Sequence, residues 1–308
     1  MSKYFRYFGL ERDPFLDTAD PYFYCELGSL RRAKERLLSA IHESRGLTVT
    51  LGEPGTGKTS LSAALEQDLL QDDRIVLGKI LDPSFGTEVE FLIAIGRVFG
   101  LSLPPRSSAA LKNALKNFFF EGGVLENRTL VLIVDEAQNL SDENIEALRM
   151  LLNYQVPQKK LLNIMLFGQN ELEERINQRG NLADRVDSWI RLTPLDDAME
   201  GAILDFRLSR AGLGSGQSIF SPEARELLIR SASGLPRRLT MLAHMAMEEA
   251  ADRASTLVRE DHVQTALAVR GIRAPQPEAP VVEKGETDLE PAGMMQFFNR
   301  LFTRRFAK

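Results

Sequence analysis

An α/β fold is what this sequence predicts: a five-stranded parallel sheet flanked by helices, followed by a small all-helical domain. Three observations predict it. Short apolar, β-branched runs alternate with helical patterns, as parallel strands joined by crossover helices do. A glycine-rich stretch lies where the first of those runs gives way to a helix. After about residue 195 the strand patterns stop and only helical ones continue.

The candidate strands are Leu47–Leu51 (LTVTL), Ile75–Leu81 (IVLGKIL), Leu130–Val134 (LVLIV), Leu162–Phe167 (LNIMLF) and Trp189–Leu192 (WIRL). Between them, Thr87 and Glu90 have capping-box spacing ahead of Phe91, Leu92 and Ile95. Ser141 precedes a helix that carries Ile145, Leu148, Leu151 and Leu152 on one stripe. Further on, Asp197 with Glu200 can cap a helix reaching about Ala211. Ser221, Pro222 and Glu223 read as N-cap, N1 and N2 of the next. Helical patterns then cover about 237–251 and 260–269. The expected organisation is an α/β domain over 1–195, a helical domain over 196–272, an acidic proline-rich linker over 273–293 and a basic amphipathic peptide over 294–308.

Composition narrows the function classes. A length of 308 residues is about two domains, and 44% hydrophobic with 26% charged residues is an ordinary globular balance. The net charge of −5 excludes a chain that is basic overall, so nucleic-acid contact would need a local patch. One cysteine, Cys25, excludes an internal disulfide framework and suits a reducing cytoplasm. His42, His244 and His262 have no metal-ligand spacing. No run of 18 apolar residues exists to span a bilayer, and MSKYFRYFGLERDPF has no secretory h-region.

Chemistry concentrates in GEPGTGKT, Gly52–Thr59, which fits G-x-x-x-x-G-K-[ST] between a strand and a helix. Gly52, Gly55 and Gly57 allow a tight turn whose N–H groups surround phosphate oxygens. Glu53, Pro54, Thr56 and Ser60 complete the nucleotide-binding stretch. The helix from Lys58 aims its N-terminal dipole at the same charge. Lys58 would reach the β- and γ-phosphates, and the Thr59 hydroxyl would help hold Mg²⁺. The strand of LVLIVDEAQNL ends in two acids: Asp135 for the metal and Glu136 to polarise an attacking water. Gln169 and Asn170 end the fourth strand; Gln169 is preferred as a γ-phosphate sensor, and Asn170 suits an N-cap. Arg179 and Arg185 precede the fifth strand, where a neighbouring subunit's arginine finger would be carried, with Arg185 ahead. In Gly234-Leu235-Pro236-Arg237, Pro236 presets a helix start and Arg237 would reach back to the nucleotide.

Together these features resemble the AAA+ ATPases, which implies a P-loop AAA+ sheet with the helical domain as its lid. More narrowly, YFGLERDPF (Tyr7–Phe15), ADPYFY (Ala19–Tyr24), VDEAQNL (Val134–Leu140), LRMLLNYQ with LFGQNEL, and GLPRRL resemble the ExeA/GspA/MshM group of secretion and pilus ATPases, over about residues 4–270. The resemblance implies ATP hydrolysis with Mg²⁺ in a ring-like homo-oligomer coupled to assembling an envelope machine. It also implies that Phe8, Pro14 and Phe15 pack near the adenine; the residues themselves equally allow core staples. The longer secretion members continue into a membrane segment and a periplasmic domain that this sequence lacks, so a cytoplasmic ATPase is expected. Related TniB/TnsC-type transposition ATPases share these motifs, leaving an ATP-dependent DNA-binding regulator as the alternative.

The net charge conceals two opposed segments. Residues 275–293 hold five acids against Lys284, and residues 294–308 hold Arg300, Arg304, Arg305 and Lys308 with no acid. As a helix, Met294, Phe297, Phe298, Leu301 and Phe302 would form one apolar face, suited to an anionic membrane surface or a partner's groove.

Overall fold

The computed structural model describes residues 4–105 and 107–275. The expected peptide over 294–308, and all but the first three residues of the expected linker, lie outside the described residues. No helix among the described residues is long and apolar enough to cross a membrane.

The sheet has five parallel strands: β1 (Leu47–Gly52), β2 (Ile75–Ile80), β3 (Thr129–Val134), β4 (Leu162–Gly168) and β5 (Val186–Leu192), in the spatial order β2-β3-β4-β1-β5. β1, β3 and β4 are flanked on both sides and read as nearly continuous apolar runs buried on both faces. β5 begins three residues before the expected Trp189. It is an edge strand paired only with β1, so Val186, Asp187 and Ser188 carry a half-exposed pattern that an apolar-run criterion overlooks.

The helices of the α/β part are α1 (Gly28–His42), α2 (Lys58–Leu69), α3 (Glu88–Val98), α4 (Ser108–Phe120), α5 (Asp142–Leu151) and α6 (Glu171–Asn177). Thr87 accepts from the Glu90 N–H and Ser141 from the Asn144 N–H, as their spacing predicts. α7 (Asp197–Arg210), α8 (Pro222–Ala232), α9 (Pro236–Asp252) and α10 (Glu260–Val269) follow. The cap of α7 is Asp196, not Asp197: the Asp196 carboxylate accepts from the Met199 N–H at 2.8 Å. Asp197 is already helical, and the carboxylate one residue earlier has the extended backbone that an N-cap needs.

Two cores sandwich the sheet. One face, with Leu132, Val134, Ile164 and Leu166, packs under α3, α4 and α5. The other, with Val131, Ile133, Met165 and Phe167, is continuous with α1, α2, the N-terminal residues and the interior of α7–α10. The helical region therefore shares its core with the sheet, within one compact unit that ends at Ala274. Cys25 is a buried free thiol in that core, pushed up to about 11 by burial.

The N-terminal residues join the two parts. The turn Pro21–Phe23 touches both α2 and α7. Glu11 N–H donates to Ala211 O at 2.8 Å, and Tyr22 OH to Arg210 O at 3.0 Å under the Arg210 guanidinium. Tyr4 OH donates to Asp13 at 2.5 Å and lies 3.0 Å from His244 Nδ1 on α9. These contacts make residues 4–24 a strap between the P-loop helix and the helical region.

Candidate active site

The loop after β1 is shaped by close approaches. A Cβ on Gly52 would lie 2.7 Å from Thr56 Oγ1 and 3.0 Å from the Leu192 carbonyl, so no larger residue fits. Gly55 and Gly57 hold φ of +87° and +97°, the left-handed region that glycine enters freely. α2 then opens at Lys58, and its N-terminus faces the loop. Lys58 Nζ donates to the carbonyls of Gly52 (2.8 Å) and Glu53 (3.0 Å). Burial pushes this amine below its ordinary range, against the pull of Glu136 and Asp135, so it sits ready for a stronger anionic partner.

β3 delivers the acids. Asp135 is fixed by its N–H to Ile80 O at 2.8 Å. Its carboxylate accepts from the Glu136 N–H at 3.0 Å and bonds the Thr59 hydroxyl. Burial raises the Asp135 carboxyl above its ordinary range, only partly offset by those hydrogen bonds. An anionic oxygen that burial disfavours, touching a hydroxyl, is a donor set that a hard cation such as Mg²⁺ would stabilise. The residues present therefore fit the metal that the motif implies.

Glu136 adopts φ +47°, a left-handed conformation costly for any residue but glycine, and it turns the chain into the short helix Ala137–Asn139. Its carboxylate accepts from Gln138 Nε2 at 2.6 Å. Gln138 Oε1 in turn accepts from the Gln169 N–H at 3.1 Å, at the end of β4.

A cleft of about 300 Å³ collects most of the expected residues: Gly55, Gly57, Lys58, Thr59, Glu136, Gln169 and Arg237 all line it. Asn170 is exposed at the start of α6 and makes no side-chain cap. Arg237 is placed by backbone. Its N–H donates to Gly55 O at 3.3 Å, and Gly234 packs so tightly on Leu195 that a Cβ would meet Leu195 O at 2.5 Å. The Arg237 side chain pairs with Asp17 at 3.2 Å in an exposed contact, weak enough to exchange for a phosphate. The two arginines before β5 differ. Arg179 is tied to Asp142 and to Arg175 O, both at 2.7 Å, whereas the Arg185 side chain makes no hydrogen bond or ion pair to any described residue.

The N-terminal aromatics lie behind the site. Phe15 is buried against Phe220, and Phe8 packs partly against the same core. The next four residues, Leu16–Ala19, form the cleft wall. The sequence reading overlooked that wall and Arg207, which also lines the cleft. Arg207 Nε donates to Pro14 O at 2.6 Å, and its guanidinium lies 5.1 Å from the Phe23 ring centre. Burial lowers its pKa to about 10. One signal was available: Arg207 falls in phase with Ile203, Leu204 and Leu208 on the buried face of α7.

An AAA domain family model matches residues 41–176. The chain is 34% identical over 276 residues to general secretion pathway protein A of Aeromonas hydrophila, covering 88% of this chain and 49% of that protein. It thus spans about half the length of that relative. Among solved structures it resembles the Aeropyrum pernix ORC2 protein in its ADPNP–ADP complexes, with TM-score 0.64 and 17% identity, over 84% of this chain and 71% of that one. It also resembles Drosophila ORC bound to DNA, with TM-score 0.65 and 20% identity, over 89% and 67% of the two chains. The Thermotoga maritima RuvB Holliday junction branch migration motor matches with TM-score 0.53 and 16% identity, over 79% and 70%. These structural likenesses, at such low identity, concern the fold.

Proposed function

Because this chain belongs to the AAA+ ATPases, in the group of general secretion pathway protein A, we propose that it binds ATP with Mg²⁺ in this cleft and hydrolyses it as part of an oligomer. The hydrolysis drives or regulates assembly of a cell-envelope secretion or type IV-like pilus system. The observation that carries the reading is convergence: the phosphate-loop residues, Glu136, Gln169 and Arg237 line one cleft, and Asp135 bonds the hydroxyl of Thr59 on its wall.

Each residue has a role that follows from its position. Backbone N–H groups of Gly55–Lys58 and the α2 dipole hold the phosphates, and Lys58 exchanges loop carbonyls for phosphate oxygens. Thr59 and Asp135 would hold Mg²⁺, which would neutralise charge developing on the phosphates. Glu136 accepts a proton from the attacking water, and Gln169 orients that water beside the γ-phosphate. Arg237 leaves Asp17 for the γ-phosphate. Arg185, whose side chain has no partner among the described residues, reaches into a neighbouring subunit's cleft as the arginine finger. Residues 294–308 bring a cytoplasmic ATPase to an inner-membrane assembly platform.

The test is nucleotide binding and phosphate release by the full chain. Lys58→Ala should lose ATP binding. Glu136→Gln should bind ATP, slow turnover by about 100-fold or more, and accumulate the oligomer. Arg185→Ala should bind normally and fail to turn over. Wild-type turnover by Glu136→Gln would refute the role given to Glu136. Retention on duplex DNA at physiological salt, strictly dependent on ATP, would instead favour the TniB/TnsC-type reading.

A further inference from the structure

We infer that Gln138 is a positioning residue for Glu136: its side-chain amide orients the water-activating carboxylate from the end of β4. The inference rests on the hydrolysis reading above and concerns a residue that does not line the cleft.

The amide has one possible orientation. The Gln169 backbone N–H, 3.1 Å away, can only donate, so the amide oxygen must face it. The nitrogen is thereby turned onto Glu136 Oε2 at 2.6 Å. This is the only hydrogen bond that the Glu136 carboxylate makes among the described residues. Glu136 itself stands in a strained left-handed conformation and lines the cleft, so its aim depends on that one donor.

Gln138 is held in turn. It lies in the short helix Ala137–Asn139, and its carbonyl accepts from the Arg175 guanidinium at 2.8 Å. Arg175 is anchored to Asp142 at 2.7 Å. On the other side, a Cβ at Gly168 would come within 3.4 Å of both the Gln138 N and Oε1 and 2.7 Å of Leu172, so β4 ends in a residue that permits the approach. The choice of an amide is chemically apt. A lysine or arginine at 2.6 Å would hold the carboxylate but neutralise it, whereas an uncharged donor fixes direction and leaves it able to take a proton. Because the other end of the amide holds the backbone of Gln169, movement of that strand end is passed to Glu136 through one side chain.

The test separates orientation from support. Gln138→Glu keeps an acceptor for the Gln169 N–H and removes the donor to Glu136. It should leave KM and ATP affinity within about twofold and lower kcat by about tenfold or more. The uncharged Gln138→Met, which removes the donor without setting a second carboxylate beside Glu136, should lower kcat to a similar degree; a loss confined to Gln138→Glu would be charge repulsion and would overturn the positioning role. In a Glu136→Gln background the same substitution should change kcat by less than about twofold, because Gln138 acts through Glu136. If Gln138→Glu does not fold, Gln138→Ala in the same cycle decides. Wild-type kcat in the single variant, or a full further loss in the double variant, overturns the positioning role. Fast turnover by Glu136→Gln alone would instead overturn the hydrolytic reading beneath it.

Discussion

Two charged residues of α7, Glu200 and Arg207, sit where a helix of this pattern would bury an apolar side chain. Arg207 is compensated by the Pro14 carbonyl and the Phe23 ring; Glu200 is not. Neither Glu200 oxygen has a hydrogen-bond partner of good geometry, and burial pushes the carboxyl up to about 7. Asp197 and Asp196 add to that rise, while the Gly234 N–H and Arg238 oppose it. In the unfolded chain this carboxyl ionises in the ordinary range, and in the folded chain only near 7. Its contribution to stability is therefore full below the ordinary range, is lost as pH rises toward about 7, and stays lost above. Glu200→Gln should match the wild type at pH 4 and exceed it by on the order of 2 kcal/mol at pH 8, read by denaturant unfolding at both. Equal stability at pH 8 would show that Glu200 is ionised without penalty.

The elements were legible in the sequence to unequal degrees, for physical reasons. β1, β3 and β4 are interior strands buried on both faces, so their apolar runs announce them. The phosphate loop and the acids of β3 were legible because local chain geometry and a local chemical need coincide there. The edge strand β5 was legible only in its second half, since one side of it meets solvent. The cleft wall Leu16–Ala19 carried no apolar period, and Pro14 just before it is held by Arg207, 193 residues further along the chain. Gln138 stood inside an evident motif, yet its role emerges only from the strand end it meets. At the α8–α9 connection, Gly234 combines φ of +77° with backbone contact to Leu195. Gly234→Ala should destabilise the protein by about 2 kcal/mol or more and weaken ATP binding, because Arg237 stands in the first turn of the next helix. Unchanged melting and affinity would show that the junction yields at no cost.

At the scale of the whole molecule, the apolar core that runs from one sheet face through the strap into α7–α10 makes the sheet and the helical region one unit. Calorimetry should therefore give a single unfolding transition for residues up to 274, and ATP with Mg²⁺ should raise all of it. At a nucleotide concentration 100 times Kd the gain is about 2.7 kcal/mol. Two transitions, with only one responding to nucleotide, would contradict the shared core. The strap has a further consequence for how the chain is made. Residues 4–24 are made before their partners Ala211 and His244, which follow two hundred or more residues further along the chain. The P-loop strand and helix precede most of the sheet that supports them. A nascent chain thus carries its phosphate loop well before it has a cleft, and the aromatic residues of the strap wait for partners made roughly 10–50 seconds later at about 5–20 residues per second. A cleft closed by the strap and by Arg237 is available only after the helical region has been made.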